Sequence, residues 1–229
     1  MILQIATSAA VNSAEQLPQT ELTMSAWELA LKGGWVMIPI FLLSVIAVYI
    51  FTERFFAIRR ASRIDTNFMN NVKNYIYHDK LESAMALCQS TNNPVARMIE
   101  KGIQRIGRPL NDVNTAVENV GKLEISRLEK GLPTLATVAG GAPMIGFLGT
   151  VMGMIRAFYD MSNAGSNIDV GLLSHGIYTA LVTTVAGLIV GIIAYFAYNA
   201  LVTNVEKVVF KLEASIEEFM DLLNEPANK

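Results

Sequence analysis

Three stretches of the chain carry no Asp, Glu, Lys or Arg: Gly33–Thr52, Leu132–Ile155 and Gly171–Val205. Each is long enough to predict a helix that crosses a bilayer. The third would rise ~50 Å as a helix, more than the ~30 Å hydrocarbon core, so it is expected to continue past one membrane face. The first, WVMIPIFLLSVIAVYIF at its centre, has few small residues and is expected to face lipid. Pro39 sits near its start, where a missing N–H costs least, and Glu53-Arg54 ends it. The second has Pro143 in its interior. Loss of one backbone hydrogen bond there should kink the helix or free the carbonyl near Ala139.

The second and third spans are not uniformly greasy. Gly146, Gly149, Thr150 and Gly153 recur at spacing three and four, and Thr179, Thr183, Gly187 and Gly191 at spacing four, with Ala180 and Thr184 beside them. Lipid gains nothing from such residues. A closely packed neighbouring helix or a narrow wet passage would use them. The residues alone leave both readings open.

The polar segments read as helices. Asp65 is a candidate cap for a helix through about Tyr77, and Asp79 with Glu82 forms a capping-box-like start for KLESAMALCQS. Asn93-Pro94 should open PVARMIEKGIQRI, ended at Gly107. Asn111 is a candidate cap for a long helix running through VENVGKLEISRLEKG into the second span. After the third span, Val208, Val209, Leu212, Ile216, Phe219 and Leu223 make an apolar stripe, closed by Pro226. Met24–Leu31 reads as a short amphipathic helix lying on the membrane, ended by Gly33-Gly34, with Trp27 and Trp35 at headgroup level. The residues before it are polar and small, without the basic flank of a secretory signal, and read as a mature tail. Arg156–Asp169 reads as a short loop.

Composition agrees with a membrane chain: 52% hydrophobic, 17% charged, mean hydropathy +0.37. The segment Arg59–Lys130 holds twelve of the eighteen Lys and Arg, so by the positive-inside rule it is cytoplasmic and the amino terminus outside. No basic cluster with interleaved aromatics suggests nucleic-acid binding. The single cysteine, Cys88, excludes an internal disulfide and reads as a buried helix residue. His78 has no second ligand at metal spacing, so no metal or other cofactor is expected.

The apolar centres hold no ionisable group that could relay a proton, only the hydroxyls of Thr150, Thr179, Thr183 and Thr184. Threonine does not titrate near neutral pH, but it can hold water or solvate a carboxylate. If ions move here, the titrating group comes from another chain. No nucleophile–base pair or carboxylate pair suggests an enzyme.

The stretches LEKGLPTLATVAGGAPMIGFLGTVMGMI and GIYTALVTTVAGLIVGIIAYFAYN resemble the MotA/TolQ/ExbB proton-channel family, the ExbB branch best. The most specific pieces are APxxGxxGTVxGxI at Ala142–Ile155 and ALxTTxxGLxxxIxA at Ala180–Ala194. MotA-like chains have four spans and fit less well. The resemblance implies a pentamer in a bacterial inner membrane, with the second and third spans lining a central pore. An ExbD-like single-span partner would supply a pore aspartate. A TonB-like protein would take up the energy for outer-membrane transport; a TolQ-like role is the alternative within the family, and a non-conducting scaffold the alternative outside it. Thr150 matches the threonine of the GTVxG motif and Thr184 the pore threonine of the third span. Thr179 stands where the family commonly carries glutamate.

The resulting expectation is an all-α integral membrane protein with three transmembrane helices, the second and third extended far into the cytoplasm. Its parts are a periplasmic tail and interfacial helix (1–34), spans at 35–55, 132–157 and 173–201, a cytoplasmic helical domain (56–131), a periplasmic loop (158–172) and a cytoplasmic terminal helix (202–229). Gly146, Gly149, Gly153, Gly187 and Gly191 are expected to form the helix-packing face, and the four threonines the ion pathway.

Overall fold

The computed structural model describes residues 33–63, 66–163 and 170–224. The expected interfacial helix, the Asp65 cap and Pro226 lie outside them. Seven helices occupy the described residues: α1 Met37–Ala61, α2 Thr66–Tyr77, α3 Leu81–Ser90, α4 Pro94–Ile103, α5 Leu110–Glu129, α6 Leu132–Asn163 and α7 Val170–Asn224. Three segments are long and apolar enough to cross a membrane, Met37–Ala61, Leu110–Asn163 and Leu173–Asn224. Along them Phe41, Val45, Met144, Phe147, Leu181, Ile189 and Phe196 are exposed, which suits lipid and not water. With the three apolar spans, that makes the chain a multi-pass membrane protein.

α7 is the spine. It runs unbroken for 55 residues, ~80 Å, through the apolar half and into the charged half. α6 lies along its apolar part, and α1 packs against both. In the charged half α4 and α5 pack on its continuation. The predicted stripe does this work: Val208, Leu212 and Phe219 are buried, with Val209, Ile216 and Leu223 packed beside them. Phe219 is fully buried, and a Cβ at Gly102 of α4 would lie 2.3 Å from its ring, so the ring occupies the place a side chain would take.

Local starts and stops follow the sequence in part. Asn93 caps α4 as expected, its Oδ1 accepting the Val95 amide at 3.1 Å, with Pro94 at the first helical position. Asp79 does not cap α3. Its φ is +57°, and the Lys80 and Asp79 amides close back on the Tyr75 and Ile76 carbonyls, so Asp79 terminates α2 in a left-handed turn and Lys80 takes the cap position of α3. Asn111 is not a cap either. Pro109 holds that position, its carbonyl accepting from Asp112 and Val113.

The long helix into the second span is also interrupted. Lys130 (φ −53°, ψ 127°) precedes Gly131 at φ +85°, the entry of a type II turn, which only glycine adopts without strain. α6 starts afresh after it. At its far end α6 continues to Asn163, two turns beyond the apolar run, and the expected loop at 158–172 narrows accordingly. The continuation has a packing cause: Ala157 is buried, and a Cβ at Gly176 of α7 would lie 2.4 Å from its own.

One ion cluster in the charged half escaped the sequence reading. Glu124 of α5 is buried and accepts from Arg97 of α4 at 2.5 Å and from Arg127 at 2.6 Å. The Arg127 carbonyl in turn accepts from Arg54 of α1 at 3.0 Å. Glu124 stands in register with Val113, Val117, Gly121 and Leu128, all buried; a carboxylate on an apolar stripe was the signal for it.

Two outcomes follow from this half of the molecule. Phe219→Asp should lower the unfolding free energy by about 4 kcal/mol or more, whereas Phe210→Asp, at a side chain 74% exposed, should change it little; denaturant titration of helix content compares them. The Cys88 thiol is pushed up to about 12 by burial, with the Glu100 carboxylate adding to it. The unfolded thiol, at the ordinary value of 9.0, ionises first, so the stability held in the neutral thiol is complete below about pH 9 and is lost as pH rises toward about 12. Iodoacetamide at pH 8 should leave Cys88 unmodified in the folded protein and label it once denaturant unfolds the chain.

Candidate functional site

The small residues of the two spans meet each other inside one chain. Along the seam between α6 and α7, Gly146 faces Thr183, Thr184 and Gly187, Gly149 faces Thr183, and Gly153 faces Gly176 and Ala180. The backbones are too close for side chains. A Cβ at Gly187 would lie 2.5 Å from the Ala142 carbonyl oxygen, and one at Gly146 would lie 2.9 Å from the Thr183 carbonyl oxygen. Contact of this kind replaces hydrophobic burial as the driving force between helices in lipid. Pro143 fits the same logic. Its ring packs on Gly191, and the Ala139 carbonyl, which a proline cannot engage, lies 2.9 Å from where a Gly191 Cβ would stand.

The four threonines do not share one environment. Thr183 is buried in the seam, its hydroxyl donating to the Ala180 carbonyl at 2.7 Å; it also contacts Gly149 and the start of α1 at Gly33. Thr179 lies toward that same start, with Gly34 its neighbour, and its buried Oγ1 has no hydrogen-bond partner. Thr150 and Thr184 donate to adjacent carbonyls of α6, those of Phe147 and Gly146. Thr184 donates across the seam to the Gly146 carbonyl at 3.0 Å, the carbonyl that lies one helical turn before Thr150. Thr150 donates to Phe147 at 2.6 Å.

This geometry fixes what the pair can do. Both protons are engaged with backbone carbonyls, so each hydroxyl offers only acceptor lone pairs outward. Such a pair receives a hydrogen bond from water, hydronium or a protonated carboxyl group. It has no proton to give an ionised carboxylate unless a hydroxyl rotates away from its carbonyl. Among the described residues no group of three His, Cys, Asp or Glu is arranged to hold a metal ion.

The seam can be tested directly. Gly187→Ala forces the helices apart by about 1 Å to clear the Ala142 carbonyl, and should cost about 1–3 kcal/mol of stability. Gly140→Ala, on the same pair of helices but facing open space, should be neutral or stabilising by up to about 1 kcal/mol. Thermal unfolding of the two variants in detergent should shift in opposite directions or not at all for Gly140→Ala.

Comparison with known proteins places this arrangement. Residues 90–214, more than half of the chain and all of the α6–α7 seam, match the profile of the MotA/TolQ/ExbB proton channel family. A biopolymer transport protein ExbB homolog of Methanothermobacter thermautotrophicus is 31% identical over 165 residues, 70% of this chain and 57% of that one. The biopolymer transport protein ExbB of Aquifex aeolicus is 38% identical over 86 residues, 37% of this chain and 57% of that one. The Tol-Pal system protein TolQ of Haemophilus influenzae is 43% identical over 65 residues, 28% of each chain. The chain thus spans a little over half the length of these ExbB relatives. The chain belongs to the MotA/TolQ/ExbB proton channel family.

Proposed function

We propose that the chain is the channel subunit of an ExbB-type motor, which passes protons down their gradient across a bacterial inner membrane and energises TonB-dependent transport across the outer membrane. The observation that carries this reading is that Thr150 and Thr184, from the two helices of a seam with no ionisable residue of its own, donate to the adjacent Phe147 and Gly146 carbonyls. One chain encloses no passage with that seam. Several copies, five by analogy with the family, would arrange such seams around a common axis. An ExbD-like single-span helix in the centre would bring the aspartate. In its protonated form that carboxyl donates to the outward lone pairs of the threonines; on ionising it loses that bond and needs a threonine to rotate. The site therefore favours the neutral acid, and release of the proton is coupled to a change of local bonding. Thr183 supports the seam behind the pair. Thr179, lacking the charge of glutamate, would serve by holding water with its unpaired hydroxyl.

The charge distribution supports an orientation with the amino terminus periplasmic and α2–α5 and the end of α7 cytoplasmic. The TolQ match favours a second reading of the same motor, in which the energy serves envelope integrity. The two differ in the protein that receives the work and not in the channel.

Thr150→Val and Thr184→Val are nearly isosteric. In liposomes holding the chain with its ExbD-like partner under a pH gradient, each should cut partner-dependent proton flux by about tenfold or more, while the mass of the complex stays unchanged. Full flux in both variants would leave the threonines a packing role alone and make the chain a scaffold.

A further inference from the structure

α1 and α7 leave a small cavity of about 260 Å³ between them where both helices emerge from their apolar stretches. Arg59 and Lys207 line it, with the Ser62 hydroxyl and the Asn204 amide, over an apolar floor of Phe55 and Leu201. A third cation, Lys211, reaches the same rim, its Nζ donating to the Ser62 carbonyl at 3.2 Å. Arg59 is held against the Phe55 ring, 5.9 Å from its centroid. No carboxylate lines the cavity. Glu206, next to Lys207 in sequence, lines a different cavity with Ile125 and Glu129, and Glu53 pairs with Arg54. Among the described residues Arg59, Lys207 and Lys211 form no ion pair; the ion pairs there involve Arg54, Arg97 and Arg127.

Three like charges converging on one concave site repel one another, and hydrogen-bond donors outnumber acceptors there. An anion relieves both conditions. Its class follows from position. The charge-free stretches of the two helices end at Thr52 and Val205, so the cavity sits within about two turns of the hydrocarbon boundary, at headgroup depth. Basic pockets between membrane helices at that depth bind anionic headgroups. The volume equals that of roughly nine liquid waters, enough for a phosphodiester and its glycerol but not for a whole lipid. On the membrane side of the floor the Phe51 ring lies 5.8 Å from that of Phe55, an apolar surface along which acyl chains would continue. We propose that this cavity between α1 and α7 binds the phosphodiester of an anionic phospholipid, with Arg59 and Lys207 as its ligands and Ser62 and Asn204 as neutral donors. The site does not depend on proton conduction; it requires only that the chain crosses a bilayer.

Native mass spectrometry of the full chain in detergent, with phosphatidylglycerol and phosphatidylcholine of the same acyl chains in equal amounts, tests this. The wild type should retain phosphatidylglycerol in preference by on the order of tenfold. The double variant Arg59→Gln, Lys207→Gln should bring that preference to parity. Arg59→Lys with Lys207→Arg, which keeps both charges, should preserve it and serves as the folding control. Arg105→Gln with Arg108→Gln, an equal loss of charge in the α4–α5 turn, should preserve it too. Equal retention of the two lipids by the wild type, or an unchanged preference in the Arg59→Gln, Lys207→Gln variant, would overturn the site. Displacement of the lipid by excess inorganic phosphate would reassign the cavity to a free anion and sink the lipid assignment.

Discussion

Backbone contact between α6 and α7 is the constraint on which the rest depends. In lipid, apolar side chains gain nothing by leaving their surroundings, so two helices associate only as closely as their shapes allow. Gly146, Gly187 and Gly191 let carbonyl oxygens of one helix rest near the Cα atoms of the other. That intimacy sets the level of every other group. It brings Thr184 to the Gly146 carbonyl, and thereby beside Thr150. It also leaves Thr183 no space but the seam. On α7 the seam sorts the hydroxyls by side, since Thr183 and Thr184, adjacent in sequence, stand about 100° apart around the helix.

In the proposed motor, the same seam explains why the chemistry would be shared between chains. A surface that packs on backbone has no tolerance for an ionisable side chain within it. The residues at its edge are therefore short and neutral, and their protons are already committed to carbonyls. Such an edge can recognise a protonation state without changing its own. Placing the titrating group on a separate helix lets that helix move relative to the seam while the seam stays rigid.

Much of this was legible in the sequence. Three charge-free runs gave three apolar helices, and Asn93-Pro94 and the stripe from Val208 to Leu223 marked their elements correctly because the signals are local. The failures were those of competition. Asp79 and Glu82 have capping spacing, yet the end of α2 needed a left-handed residue at the same place, and an aspartate there cannot also hold the extended backbone of a cap. Asn111 lost its position to a proline carbonyl already placed to receive two amides. The small-residue stripes allowed both packing and a wet passage, with packing favoured, and the chain uses most of them for packing. What the pattern could not show is that neighbouring threonines, Thr183 and Thr184, separate in role because one lies in the seam and the other on its rim. Glu124 was visible in principle, as a carboxylate in register with buried Val117 and Leu128 and three residues before Arg127, but its other partner, Arg97, comes from α4 and no spacing announces it.

The turn at Lys130–Gly131 gives the molecule an unequal pair of supports. α7 is one rod from Val170 to Asn224, so its membrane end and its far tip share one continuous hydrogen-bonded backbone. The column beside it is articulated: α6 and α5 meet at a two-residue turn, Lys130–Gly131. In α7 the backbone runs unbroken from seam to tip, whereas α5 is joined to α6 by a two-residue turn and held to α7 by the packing of Val208, Leu212 and Phe219. The chain is built as a shaft running beside a jointed column.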